Sequence, residues 1–306
     1  MTNLSITLCS LKLKNPTILA SGILGVTKAS LKNIADKGAG AVTIKSISRE
    51  PRKGHNNPIL VGYEGGFLNA VGYSNPGLDE AKKEFSDLKG IGVPVIGSII
   101  GTTAKEFAYM AKHFSKGFDA LEIPLSCPHT PGFGVLAGQS TPEATFEITR
   151  AVKENTSLPV IVKLSPSIQD LGGLAKAALK AGADAINMGN THGPGMVINL
   201  ETGRPVLDFR VGGLSGPGIR PIAVRSVYDV YKAIEGKIPI IGTGGVTTGR
   251  DAVEMFMAGA SAVGIGTAVY YRGIDVFKKV CDEIREFMKK EGYKKISDMV
   301  GVAHKK

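Results

Sequence analysis

Cys127 stands between Ser126 and Pro128 at the end of an apolar run, in EIPLSCPHTPGFG (122–134). A thiol at the lip of a strand, ahead of a loop of Pro, Gly and His129 that looks built to move, is placed where a reactive group could serve a site, and of the three cysteines it alone stands at a loop edge. Two lysines, Lys45 in AVTIKSIS and Lys163 in VIVKLS, close otherwise apolar runs. Burying such a cation is costly unless an anion meets it, so the pair points to an anionic ligand, against the plainer reading of amines that reach out to water. GTGG (242–245) and GIGT (264–267) offer backbone N–H groups that can approach a phosphate closely. Asn69 and Asn190 each carry a donor and an acceptor on one carboxamide, which suits a flat ligand edged with alternating C=O and N–H groups. Asn75-Pro76-Gly77 reads as a turn.

Chemistry of this kind needs a frame that brings strand ends together. Eight nearly continuous apolar runs supply one: 17–22, 41–48, 94–100, 120–126, 160–165, 185–191, 238–245 and 262–268. Runs without alternation fit parallel strands buried on both faces. Helical patterns lie between them, among them SLKNIADKG, AKEFAYMAKHFSKG, TPEATFEITRAVKENT and LGGLAKAALKAG. Four times a glycine and small residues lead into the next strand, in KGAGAVTI, KGFDALEI, AGADAINM and AGASAVGI. This repeated unit predicts an α/β protein, a TIM (β/α)8 barrel forming a single domain over 1–306, with inserted loops after strands 2, 4 and 6. An open doubly wound sheet ranks behind it, because ASGILG is a poor phosphate fingerprint. Two excursions, about 49–77 and 193–221, show no obvious regular structure, and long loops of that kind usually carry function. In a barrel the site gathers at the C-terminal strand ends. Those ends hold Ser21 and Gly22, Lys45 and Ser46, Ser98, Ser126 and Cys127, Lys163 and Ser165, Asn187, Asn190 and Thr191, Gly242 to Gly245, and Gly266 with Thr267.

The bulk properties agree with a globular protein that can bury a sizeable core. The 306 residues are 43% apolar and 21% charged, with 40 glycines and a formal charge of +10. The lysines are scattered, and no aromatic residues interleave with them, so a basic exterior is expected rather than a nucleic-acid partner. No apolar run is long enough for a membrane span and the N-terminus lacks a signal-peptide layout, so the expected location is cytoplasmic. Three cysteines without a C-x-x-C pair argue against a disulfide framework or a zinc site. Cys281 falls on the apolar face of a helical pattern, and Cys9 reads as a strand residue.

The segments ASG (20–22), KS (45–46), LNAVGYSNPG (68–77), SCPH (126–129), VKLSP (162–166), GNT (189–191), GGLSGPGIRP (212–221), GTGGV (242–246) and AGASAVGIGTA (258–268) follow one another as they do in dihydroorotate dehydrogenases. The chain resembles class 1 of that family, closest to the type 1B catalytic subunit of archaeal kind. The resemblance implies FMN-dependent oxidation of (S)-dihydroorotate to orotate in de novo pyrimidine biosynthesis, with Cys127 taking the C5 proton and the C6 hydride passing to flavin N5. It implies FMN contacts from Ser21, Gly22, Lys45, Ser46, Ser98, Lys163, Gly189, Gly216, Gly244, Gly245, Gly266 and Thr267, with Lys163 also stabilising the anionic reduced flavin. Lys45, Asn69, Ala70, Val71, Gly72, Tyr73, His129, Asn190 and Thr191 are the implied substrate contacts, and no metal is expected.

The implied assembly is a homodimer, or a heterotetramer with an FAD/iron–sulfur electron-transfer subunit. Pro124, His129 and Ser167 stand where the family's usual spelling has asparagine. SCPH followed by GQSTPE also resembles the flavin barrel of dihydropyrimidine dehydrogenases. That leaves another flavin-dependent pyrimidine oxidoreductase and a non-catalytic flavin- or pyrimidine-binding barrel as alternatives.

Overall fold

The computed structural model describes residues 2–125 and 141–305. Eight parallel strands close into a barrel in chain order: Thr17–Leu19, Ala41–Thr43, Val95–Ser98, Ala120–Pro124, Val160–Leu164, Ala185–Met188, Ile240–Thr243 and Ala262–Ile265, the last pairing with the first. All eight expected strands are present, each shorter than its apolar run. Inside the barrel one layer takes Ile18, Ile96, Ile161 and Ile241 from the odd strands and Ala41, Ala120, Ala185 and Ala262 from the even ones. Alternating large and small side chains is how a closed barrel fills its interior. The N-terminal hairpin, Ile6–Leu8 with Leu11–Leu13, packs Leu8, Leu11 and Leu13 onto this layer.

Helices cover the outside, and their ends follow from local chemistry. Thr27, Thr103, Thr141 and Thr248 cap helix N-termini through their hydroxyls, and Asp170 does so through its carboxylate. Gly38, Gly117, Gly182 and Gly259, the glycines of the repeated αβ turns, all have positive φ, a conformation that penalises any residue with a Cβ. Cys281 lies buried in the helix Val276–Glu291, as its spacing predicts.

Two expectations are corrected. Cys9 is in no strand: it has φ 56° in the turn of the N-terminal hairpin, where its thiol donates to the Asp184 carbonyl at 3.3 Å. The two excursions are not irregular either. They pair into an antiparallel sheet ordered His192–Gly195, Gly212–Ser215, Gly66–Asn69 and Leu60–Tyr63. Leu68, Ala70 and Leu207 form its small core. The excursions after strands 2 and 6 therefore make one structure, whose inner side faces the C-terminal mouth of the barrel. The loop expected after strand 4 lies almost wholly outside the described residues.

Candidate active site

A cavity of about 540 Å³ opens where the strand ends meet the antiparallel sheet. Its lining includes Ser21, Gly22, Lys45, Ser46, Asn69, Ala70, Val71, Gly72, Tyr73, Lys163, Gly189, Asn190, Thr191, Gly216, Gly244, Gly245, Gly266 and Thr267, together with Pro124. The barrel thus gathers into one space residues that lie as much as 246 positions apart in the chain (21 to 267). Ser98 is the exception. It is fully buried and hydrogen-bonds Ser46 Oγ at 2.9 Å, supporting the wall from behind. Cys127 and His129 lie outside the described residues.

The glycines of the seventh and eighth strands form a cradle. Gly244 and Gly245 carry consecutive positive φ values of 135° and 75°, which turn the chain back along the cavity. Among the described residues the N–H groups of Gly244, Gly245, Gly266 and Thr267 donate to no acceptor. Unpaired amides in a concave wall are a site for an anion. A Cβ on Gly266 would meet Ala20 at 3.8 Å and Ile23 at 3.9 Å, ordinary contact distances, so a methyl fits here without strain.

The turn that follows is fixed by charge. Asp251 accepts from the N–H groups of Thr247 and Thr248 at 3.0 and 2.7 Å and pairs with Arg220. Arg272 donates to the Thr247 carbonyl at 3.0 Å and pairs with Glu283 at 2.6 Å. Burial pushes the Glu283 carboxyl up, but the hydrogen bonds from Arg272 and the Gly249 N–H more than offset this and hold it below its ordinary value.

Below the cavity lies a buried polar network that spacing did not suggest. Glu122, on the fourth strand, is 2% exposed. Its Oε1 accepts from Ser21 Oγ at 2.8 Å and lies 3.6 Å from Lys163 Nζ; its Oε2 accepts from Asn187 Nδ2 at 2.6 Å. Lys163 Nζ also donates to Ser21 Oγ at 3.0 Å, and Thr243 Oγ1 donates to Asn187 Oδ1 at 2.8 Å. The argument from two lysines to an anionic ligand therefore changes: Lys163 already has a carboxylate partner within the chain. The clue in the sequence was a lone acidic residue inside the apolar run ALEIPLS.

The opposite wall, Asn69 to Tyr73, is held from outside the cavity. Asn69 Nδ2 donates to the Gly213 carbonyl at 3.1 Å. Asn75 is buried; its Oδ1 accepts from the Gly77 N–H at 3.0 Å, and its Nδ2 donates to the Tyr73 carbonyl at 2.8 Å and Ser48 Oγ at 2.9 Å. The expected turn at Asn75 is thus also a clamp. His55 stacks on Phe209 at 4.0 Å and reaches the Ala70 carbonyl through Nδ1 at 3.1 Å. Ser167 does not line the cavity; its hydroxyl accepts from the Gly193 N–H at 3.1 Å and tethers the second excursion. Pro124 is the last residue of its strand, and the ladder continues past it through Leu125 N–H to the Lys163 carbonyl at 3.0 Å.

The two described cysteines are chemically quiet. Burial, aided by the nearby Asp184 carboxylate, pushes the Cys9 thiol up to about 12, and burial pushes Cys281 up to about 11. Among the described residues no group of three or more His, Cys, Asp or Glu side chains could hold a metal. No helix among them is long and apolar enough to cross a membrane.

Comparison with known proteins places this geometry. Residues 3–288 match the family model described as dihydroorotate dehydrogenase. The chain is 46% identical over 301 residues to the dihydroorotate dehydrogenase B (NAD+) catalytic subunit of Methanocaldococcus jannaschii, covering 97% of each chain. It is 46% identical over 302 residues to the protein of the same name from Pyrococcus horikoshii, covering 99% of this chain and 98% of that one. Among solved structures it is similar to ligand-free DHODH from Eimeria tenella, with a TM-score of 0.86 at 24% identity, covering 100% of this chain and 93% of that one.

Proposed function

The chain belongs to the dihydroorotate dehydrogenase family, and from that premise we propose that it oxidises (S)-dihydroorotate to orotate in pyrimidine biosynthesis, with FMN seated in the barrel-mouth cavity. The observation that carries the reading is a cradle of unpaired amides on Gly244, Gly245, Gly266 and Thr267 sharing one cavity with the buried cation Lys163. The amides suit a phosphate, and the cation with Ser21 and Ser46 suits the polar edge of a flat ring. FMN bound here supplies the two-electron acceptor for the oxidation.

The chain's own residues account for the rest. Cys127 follows two residues after Leu125, at the exit of the strand that carries Pro124 into the cavity wall. Its thiolate takes the proton from C5 of the substrate. Asn69 to Tyr73, Asn190 and Thr191 contact the pyrimidine, and Lys45, beyond the end of the second strand, meets the substrate carboxylate. We assign His129 to the substrate as well. The Lys163 ammonium is held at the cavity wall by Ser21 and Glu122 before any negative charge develops there, which is how preorganised electrostatics lower a barrier.

Electrons must then leave the barrel. With three cysteines in the whole chain, none of them paired in a C-x-x-C, it has no set for an iron–sulfur centre of its own. The relatives are named catalytic subunits of an NAD+ enzyme. We assign this chain the same place, as a homodimer joined to an FAD/iron–sulfur subunit that passes the electrons to NAD+.

The test is orotate formation by the purified flavin-loaded protein with an artificial acceptor, beside the Cys127→Ala variant. The variant should keep its flavin and lose about 10²- to 10⁴-fold in rate, the usual share of a general base. Equal rates would remove Cys127 from the chemistry, and no orotate from the parent protein would remove the function.

A further inference from the structure

We propose that Glu122 is a positioning residue of this reaction: a built-in counter-charge that holds the Lys163 ammonium in place and lowers the reduction potential of the flavin above it. The inference rests on the FMN reading given above. Glu122 does not itself line the cavity, whereas Lys163 and Ser21 do. Its carboxylate sits one step beneath them, inside the barrel, just above the layer of isoleucines and alanines.

The carboxylate is locked by residues at four other strand ends. Ser21, after the first strand, donates to Oε1 at 2.8 Å while accepting from Lys163 at 3.0 Å. Asn187, on the sixth strand, donates to Oε2 at 2.6 Å, and its own carbonyl is fixed by the Thr243 hydroxyl of the seventh at 2.8 Å. Lys163, on the fifth, completes the set at 3.6 Å. With these partners the carboxylate cannot turn without breaking a bond. Lys163 in turn is kept pointing across the barrel axis toward Ser21 rather than out to solvent.

Such an arrangement is dispensable for packing, since the layer below fills the same barrel with apolar side chains alone and a buried ion pair is rarely a net gain in stability. Its consequence is electrostatic. A lone lysine under the cavity would favour any gain of negative charge above it. The fixed carboxylate opposes that gain, in a medium from which water is excluded. The pair therefore keeps the cation needed to orient the ligand while restraining how strongly it pulls electrons onto it, which makes it easier to pass them on.

Glu122→Gln preserves the shape and an acceptor for Asn187 and removes only the charge. Redox titration of the flavin-loaded variant should show the equilibrium constant for two-electron reduction raised at least tenfold, equivalent to about 30 mV or more. Glu122→Asp, which restores the charge, should return it most of the way. A potential in Glu122→Gln within twofold of the parent, with flavin bound, overturns the proposal. Should that variant fail to fold or load, the parent protein decides: with ¹³C-labelled glutamate, its reduced-minus-oxidised infrared spectrum should contain a shifted carboxylate band, and a flat carboxylate region overturns the proposal. A parent protein that takes up no FMN at all fails a different and earlier step, the cofactor reading, and the proposal falls with it.

Discussion

Replacing Lys163 with methionine keeps the apolar stem and most of the volume but deletes the ammonium from a site where the lysine is 6% and the glutamate 2% exposed. What remains is a buried carboxylate with two donors, Ser21 at 2.8 Å and Asn187 at 2.6 Å. Breaking one side of a buried ion pair costs about 3–5 kcal/mol, because the surviving charge has no compensation. Hydrogen bonds to a charged group are worth about 1.5–3 kcal/mol each, and both surviving bonds persist, so the lower end applies. We expect Lys163→Met to lose about 3 kcal/mol. Adding Glu122→Gln removes the stranded charge, and the double variant should recover about 2 kcal/mol of that loss, a coupling of the size neighbouring residues show. Urea unfolding of the flavin-free proteins at neutral pH measures both values without a contribution from ligand binding. A single variant within about 0.5 kcal/mol of the parent, the range of an ordinary surface substitution, would refute the buried pair. So would a double variant that is no more stable than the single one.

Three further outcomes follow from the geometry. Gly266→Ala should leave the unfolding midpoint of the flavin-free protein unchanged, since its Cβ meets nothing within 3.8 Å, while weakening FMN binding about tenfold, a loss of about 1.4 kcal/mol; flavin fluorescence quenching measures the affinity. Asn75→Ala strands the donors and acceptors that now meet at one carboxamide, so it should cost about 2 kcal/mol and raise KM for dihydroorotate with bound flavin unchanged. Because burial pushes Cys9 to about 12 and Cys281 to about 11, both thiols remain protonated at pH 8; a thiol reagent there should modify one cysteine of the native protein, Cys127, and mass spectrometry of the labelled peptides would show any other pattern.

Most of the frame was readable in the chain because its signals are local. Apolar runs without alternation marked all eight strands, and glycine turns of positive φ marked the entries to four of them. Strand lengths were overread: in 41–48 the strand itself is Ala41–Thr43, the Lys45 N–H turns to the Gly25 carbonyl, and pairing resumes only as a single bridge between Ile47 and Ile99. The antiparallel sheet over the mouth escaped notice because its central pair joins Gly66–Asn69 to Gly212–Ser215, glycine-rich segments far apart in the chain with little alternation to betray them. Glu122 escaped for a related reason. Its partners are 101 and 65 positions away, and only barrel closure brings them together. Ser98 was placed correctly at a strand end but faces Ser46 rather than the cavity, a distinction of side-chain direction that composition does not carry.

The measurement that tests the account most directly is an anaerobic visible spectrum of the purified protein, recorded before and after adding dihydroorotate, with dihydrouracil in a parallel cuvette. The account predicts a bound flavin that bleaches promptly with dihydroorotate and stays oxidised with dihydrouracil, which lacks the carboxylate assigned to Lys45. A flavin that bleaches only with dihydrouracil, or with neither, would contradict it.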